Sequence, residues 1–359
     1  MMNYSQEWIG VRLSICLILL ASAHLASCSK AGPPDEVAFT IPERLKLKSS
    51  TAQASRIIAE LKSGDRITIS RRANADDGTP WVKILGPAGE AGWAEARNFV
   101  KLDVVDQSRR LAEKVKDVQT QAIGRSKAAL RLRLTPDRAT EDNVAILVPS
   151  GTALEIVGRE HKPRPALHTG DDESEPAGKK SESAKKPKEK APEIKYDDWL
   201  LVRIKDNAVL PAGWIYGGSV ILEIPSEIIY YNSDGRRITG WQKISAAGSE
   251  DNNSGDSFLV LERRLFDAEE QFDFDRVKVL AYDSAQQVYV TTFQKDLAGR
   301  LPVTLKMDGT RGQLQMNVFD KELRPQEVNY RIEIQDGGRI AVAEIDPRQP
   351  EKRSLTRKR

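Results

Sequence analysis

Two stretches of this chain read alike, and that likeness limits its fold more than any other feature. The first runs Leu45-Lys-Leu-Lys-Ser-Ser-Thr51, Ile57–Asp65 and Arg66–Ser70, then Trp81-Val-Lys-Ile84 and Gly89–Ala94 after a polar gap. The second runs Leu130–Pro136, Val144–Thr152 and Ala153–Val157, then Trp199–Ile204 and Pro211–Ile215 after a longer gap. Leu45 corresponds to Leu130, 85 positions on, and Gly64 to Gly151, 87 positions on. A near-constant offset of that kind marks an internal repeat. Within each unit, short runs alternate apolar and polar residues between Gly, Pro, Asp and Ser, which is the pattern of half-buried strands. Ser63-Gly64 and Ser150-Gly151 suit tight turns into the next strand. Neither unit holds a run of helical period. A small all-β barrel is therefore expected for each, since closure removes exposed strand edges.

These segments resemble the bacterial SH3-like (SH3b) domain. In that family an opening strand leads to a Leu-Lys-x-Gly-Asp turn, then a strand beginning with Trp, then a Gly-Trp strand. Here the turn is Leu61-Lys62-Ser63-Gly64-Asp65, and the later elements are Trp81–Ile84 with Gly92-Trp93, and Trp199–Ile204 with Gly213-Trp214. The family's opening Asn-Val-Arg-Ser-Gly-Pro is replaced by Leu47-Lys48-Ser49-Ser50 and by Leu132–Pro136. The resemblance implies two binding modules, at 38–102 and 124–224, a little under half the chain. Four tryptophans are its candidate ligand-binding residues. Trp93 and Trp214 follow glycine at a strand start, where packing inside the barrel is the leading reading and an aromatic groove the other. Trp81 and Trp199 begin strands beside variable loops, and both readings stand equally for them.

Between the units, Val104, Ser108, Leu111, Val115, Val118 and Ala122 recur at helical spacing. They predict a helical connector over 103–123, capped by Asp103, stopped by Gly124 and packed on its neighbouring barrels. The second unit is longer than the first by an insertion at 160–195. It is rich in Lys, Glu, Ser and Pro and is expected to be disordered. Residues 225–346 read as eight or nine antiparallel strands, with turns at Ser233-Asp-Gly235, Asp308-Gly309 and Asp336-Gly-Gly338. That pattern predicts a β-sandwich or open barrel. The tail 347–359 is basic and polar and is expected to be disordered. The expected fold class is thus all-β: two SH3-like barrels joined by a helix, followed by a β-rich domain.

At the other end, a leader carrying Arg12 precedes an apolar run that closes on Leu25-Ala26-Ser27-Cys28. The run is too short to span a bilayer stably. It resembles a bacterial lipoprotein signal, residues 1–27, with a tether at 28–37. In that family the cysteine receives lipid and cleavage falls just before it, which makes Cys28 the expected lipidation site and Leu25, Ala26 and Ser27 the lipobox. Ser29 and Lys30 replace the Asp that commonly retains such proteins in the inner membrane. The resemblance therefore implies the outer membrane, facing the periplasm, in a diderm source.

Composition narrows the chemistry further. Cysteine occurs only at 16 and 28, so a chain processed at Cys28 has no disulfide. Histidine then remains only at 161 and 168, inside the low-complexity stretch, which disfavours nucleophilic triads and His/Cys zinc sites. The net charge of +3 leaves no case for nucleic acid. Carboxylates at Glu269, Glu270, Asp273 and Asp275 read as a solvated loop more than as an acid–base pair. The expectation is a non-enzymatic envelope lipoprotein, with no cofactor or metal, held by lipid and binding peptidoglycan or envelope proteins. The alternatives are an assembly subunit of an envelope complex, or a wall-acting enzyme with carboxylates in the C-terminal domain. Oligomeric state is not legible.

Overall fold

The computed structural model describes residues 36–52, 54–138, 140–164, 196–245, 256–265, 272–335 and 338–345. Cys28 and the lipobox, residues 165–195 of the insertion, Glu269, Glu270 and the C-terminal tail lie outside them. The chain forms two compact units, Met1–Phe99 and Val100–Arg359. It is mostly antiparallel β-structure, with one α-helix among the described residues.

The first sheet contains β1 (Glu36–Thr40), β2 (Arg44–Lys48), β3 (Ile57–Lys62), β4 (Arg66–Asn74), β5 (Pro80–Leu85), β6 (Ala91–Glu95) and β7 (Phe99–Lys101). Its strand order is β3-β2-β6-β5-β4-β1-β7. Alternation in Arg44–Lys48 turns Leu45 and Leu47 inward, where they meet Leu61, Ile67, Val82 and Ile84. Gly64 (φ +86°) makes the turn between β3 and β4, and its N–H donates to Thr40 O at 2.8 Å.

The second sheet contains β8 (Ala122–Ser126), β9 (Leu130–Arg133), β10 (Val144–Val148), β11 (Ala153–Pro163), β12 (Tyr196–Arg203), β13 (Ala212–Tyr216) and β14 (Val220–Leu222). Its order, β10-β9-β13-β12-β11-β8-β14, repeats the first strand for strand. The details repeat as well. A bulge falls between Ile69 and Arg71 in β4, and between Ile156 and Gly158 in β11. Gly151 (φ +79°) takes the place of Gly64, with its N–H on Ser126 O at 2.9 Å. The Gly-Trp pairs have a steric cause. A Cβ at Gly92 would stand 2.9 Å from Leu47 Cβ, and one at Gly213 would stand 2.7 Å from Leu132.

The helix α1 spans Leu102–Lys114, which corrects the expected 103–123. Lys101 is its N-cap instead of Asp103, and Ala122 and Gly124 belong to β8. Arg203 of β12 closes the far end. Its guanidinium donates to the carbonyls of Val115, Lys116 and Val118 at 3.1–3.3 Å, placing a cation on the chain just past the helix C-terminus. Ser108 is buried and pairs with both backbone groups of Ala212, donating to its O at 2.6 Å and accepting from its N at 3.2 Å. The helix therefore packs on β13 of its own unit.

The C-terminal residues form a seven-strand meander: β15 (Arg236–Ile244), β16 (Ser257–Arg264), β17 (Phe274–Asp283), β18 (Val288–Asp308), β19 (Arg311–Phe319), β20 (Pro325–Ile334) and β21 (Ile340–Glu344). This replaces the expected eight or nine strands for two reasons. Glu227–Tyr231 contains a short 3-10 turn at Ile229–Tyr231, and the segments around 287–293 and 302–307 are one strand, β18. The first part of β18 pairs with β17 and the rest with β19. Pro302, which has no N–H to give, falls inside the register shift between Arg300 and Thr304. Phe274 and Val277 from one half of the meander share a single core with Val303, Leu314 and Tyr330 from the other.

On another face, Tyr289 packs edge-on against Tyr231, with Phe258 and Tyr282 close by. Burial, reinforced by Glu227 and Asp256, pushes the Tyr289 phenol from 10.0 up to about 12. The neutral phenol is thus favoured by folding. Its contribution to stability holds below pH 10 and is lost as pH rises from there through about 12. An ultraviolet titration of folded protein should show one tyrosine ionising later than in urea, and Tyr289→Phe should abolish that late step.

Glutamine side chains join the second and third sheets. Gln121 accepts from Val303 N at 2.8 Å and donates to Val303 O at 3.0 Å. Gln119 treats Leu305 the same way, at 2.7 and 2.6 Å. The backbone of Gln121 also donates to Ile156 O and accepts from Trp241 N, both at 2.8 Å. Two amides thus engage the β18 backbone beyond Gly299, where its pairing with β17 ends.

Candidate functional site

The sequence favours packing for Trp93 and Trp214 and leaves Trp81 and Trp199 open; the structure packs the second pair more deeply than the first. Trp81 and Trp199 are buried, at 6% and 2% exposure, while Trp93 and Trp214 are only half-buried. Trp81 pairs across the sheet with Glu95, and Lys83 with Trp93. Alternation therefore sets both rings on one face, opposite Val82 and Ile84. The same holds in the second sheet, where Trp199 faces Tyr216 and Leu201 faces Trp214. The Trp199 ring meets Tyr216 edge-on at 6.1 Å, and the Lys48 ammonium lies 5.6 Å from the centre of Trp81. The accessible aromatic at equivalent positions of the two repeats is therefore Trp93 and Trp214.

The sequence also placed His161 in a low-complexity stretch and Asp273 in a solvated loop. Both placements are corrected. The strand β11 runs on to Pro163, so His161 sits on a strand opposite Asp198, and its ring is buried. Asp273 is 1% exposed. Its Oδ1 lies 2.9 Å from His161 Nε2, and its Oδ2 accepts from Leu301 N at 2.7 Å. Asp275, half-buried, pairs with Arg236 and lies 3.9 Å from Arg264.

His161 and Asp198 border a cleft of about 600 Å³ between the second and third sheets. Among the described residues, five arginines line it, Arg159 and Arg164 from the second sheet's side and Arg237, Arg263 and Arg264 from the third's, against one carboxylate, Asp198. Leu200, Val220, Ile238 and Tyr216 supply apolar and aromatic wall. Arg164 and Arg138 both clasp the buried Asp197, at 3.1 and 2.7 Å. The Arg159 side chain is 7% exposed and stands 3.2 Å from Asp198, but the two groups are not aligned for a hydrogen bond. Among the described residues, Arg159 Nε and Nη1 and Asp198 Oδ1 have no hydrogen-bond partner. No cluster of three or more metal-ligating side chains occurs among the described residues.

No protein-family model and no curated protein matches this chain. The site therefore has to be read from its own geometry. A signal for it was present in the sequence. Arg159 and His161 are two apart, which puts them on one face of a strand once Ala153–Val157 is extended. The polar run that follows hid that extension, and the partners on β15 and β16 are distant in sequence.

Proposed function

We propose that this chain is a non-enzymatic, lipid-anchored envelope protein whose two repeats are SH3b-like barrels that bind peptidoglycan or an envelope protein. The observation that carries the reading is the matched strand order of the two sheets, with a half-buried tryptophan after a sterically required glycine in each. The lipobox-like Leu25-Ala26-Ser27-Cys28 supports attachment through Cys28, at the outer membrane facing the periplasm in a diderm source. The meander sharing one core supports a sandwich or open barrel for the C-terminal part. A structural role for Asp273 fits better than an acid–base one, because both its oxygens are occupied by His161 and Leu301. Tethering raises the effective concentration of weak sites near a polymer, so modest affinity at each tryptophan is enough.

Two measurements test this. In a diderm host, Cys28→Ala should abolish incorporation of labelled lipid and leave the precursor unprocessed; continued labelling removes the anchor. On purified sacculi and in membrane crosslinking, Trp93→Ala and Trp214→Ala together should lose capture while circular dichroism stays native. Unchanged capture by both methods removes the aromatic site. Release of wall fragments by the purified protein, stopped by a substitution at Asp273, establishes the enzyme alternative instead.

A further inference from the structure

We infer that the cleft between the second and third sheets is a binding site for an oxyanion, a phosphate or carboxylate group of a small ligand, with Arg159 as its central donor. The comparison between the repeats carries this furthest. By register, Arg159 in β11 is the counterpart of Arg72 in β4, since each lies three positions past the isoleucine that precedes the bulge. In the first repeat Arg72 is ion-paired with Glu36, which stands opposite Ile69 on β1. The equivalent place in the second repeat, opposite Ile156 on β8, is taken by Ala122. The second repeat thus keeps the guanidinium and buries it, with no carboxylate at the β8 position; Asp198 on β12 stands 3.2 Å away instead, without hydrogen-bonding alignment.

Beside Asp198, the buried guanidinium still has two N–H-bearing nitrogens without a hydrogen-bond partner among the described residues. A buried donor left without an acceptor is costly, and an entering oxyanion would remove that cost through charge-assisted bonds. The surroundings suit the same ligand. Arg237, Arg263 and Arg264 face the cleft from the third sheet, and Asp198 is the one carboxylate among the described residues of its lining. The first repeat has Asn74 and Pro80 where the second has His161 and Asp198, so the site is a property of the second repeat. This inference uses residues separate from Trp93 and Trp214, and it stands or falls without them.

The test is calorimetric titration of the full mature chain with inorganic phosphate and, separately, with acetate, at low and high salt. Saturable binding of one equivalent that weakens with salt is expected. Arg159→Gln should weaken it about tenfold or more, the scale of a lost charge-assisted bond. Arg72→Gln should leave it unchanged. Asp198→Asn, which removes the competing carboxylate, should tighten binding, and this opposite sign separates the site from a general loss of fold. Tighter binding of phosphate than acetate assigns a phosphorylated ligand, and the reverse assigns a carboxylate. Absence of saturable binding of either anion, or equal affinity in wild type, Arg159→Gln and Asp198→Asn, overturns the inference.

Discussion

Glu262→Leu is expected to destabilise the second unit by about 3–5 kcal/mol, the usual cost of breaking a buried ion pair by removing one partner. Glu262 is 0% exposed and stands 2.8 Å from the ammonium of Lys278, itself buried. Its other bonds hold the turn before β15, since it accepts from both Ser233 N and Ser233 Oγ at 2.9 Å. The leucine variant would leave a lysine charge in the sheet with only Tyr231 O and a long contact to Ser233 Oγ. Adding Lys278→Met should restore most of the loss, because an apolar pair of similar volume no longer buries an uncompensated charge. Urea unfolding of the two single variants and the double variant gives the coupling directly. A loss below about 1 kcal/mol for Glu262→Leu, within the range of ordinary surface substitutions, would show that water reaches the pair.

Trp81→Ala and Trp199→Ala should each cost about 3–5 kcal/mol, as large aromatic truncations at buried positions do. Trp93→Ala and Trp214→Ala should cost less, because those residues are already partly exposed. Trp81 belongs to one compact unit and Trp199 to the other, so each variant should shift a different unfolding transition. Thermal melts followed by tryptophan fluorescence would separate them. Equal losses from all four substitutions would mean that the half-exposed rings are as structural as the buried ones.

The tryptophans also show how far a sequence reading reaches. Strand alternation correctly separates Trp81 from Val82 and Ile84, so the ring lies off the main core face. What alternation cannot supply is the cover on that outer face, which comes from residues on other strands, such as Lys48 over Trp81 and Tyr216 against Trp199. The repeat, the glycine turns and most strands of both sheets were legible because each is a local pattern. The early end of α1 was not, because Arg203, about ninety residues downstream, supplies its terminal partner. The stripe from Val104 to Ala122 has helical spacing throughout, but its last part feeds a strand instead. The cleft was the least legible element. It exists only where β11 meets the meander, and its arginines come from segments about a hundred residues apart.

The glutamine joint has a mechanical meaning. Gln119 and Gln121 grip Val303 and Leu305 with neutral amides on both the N–H and the C=O of each residue. Neither proton activity nor added salt changes the charge of an amide, so acidification or a rise in ionic strength does not unfasten these bonds as it weakens ion pairs. Four hydrogen bonds side by side must also yield together when the two sheets are pulled apart. A load applied to the second repeat would therefore pass into the C-terminal meander as through a riveted plate, with the walls of the cleft held at fixed spacing throughout.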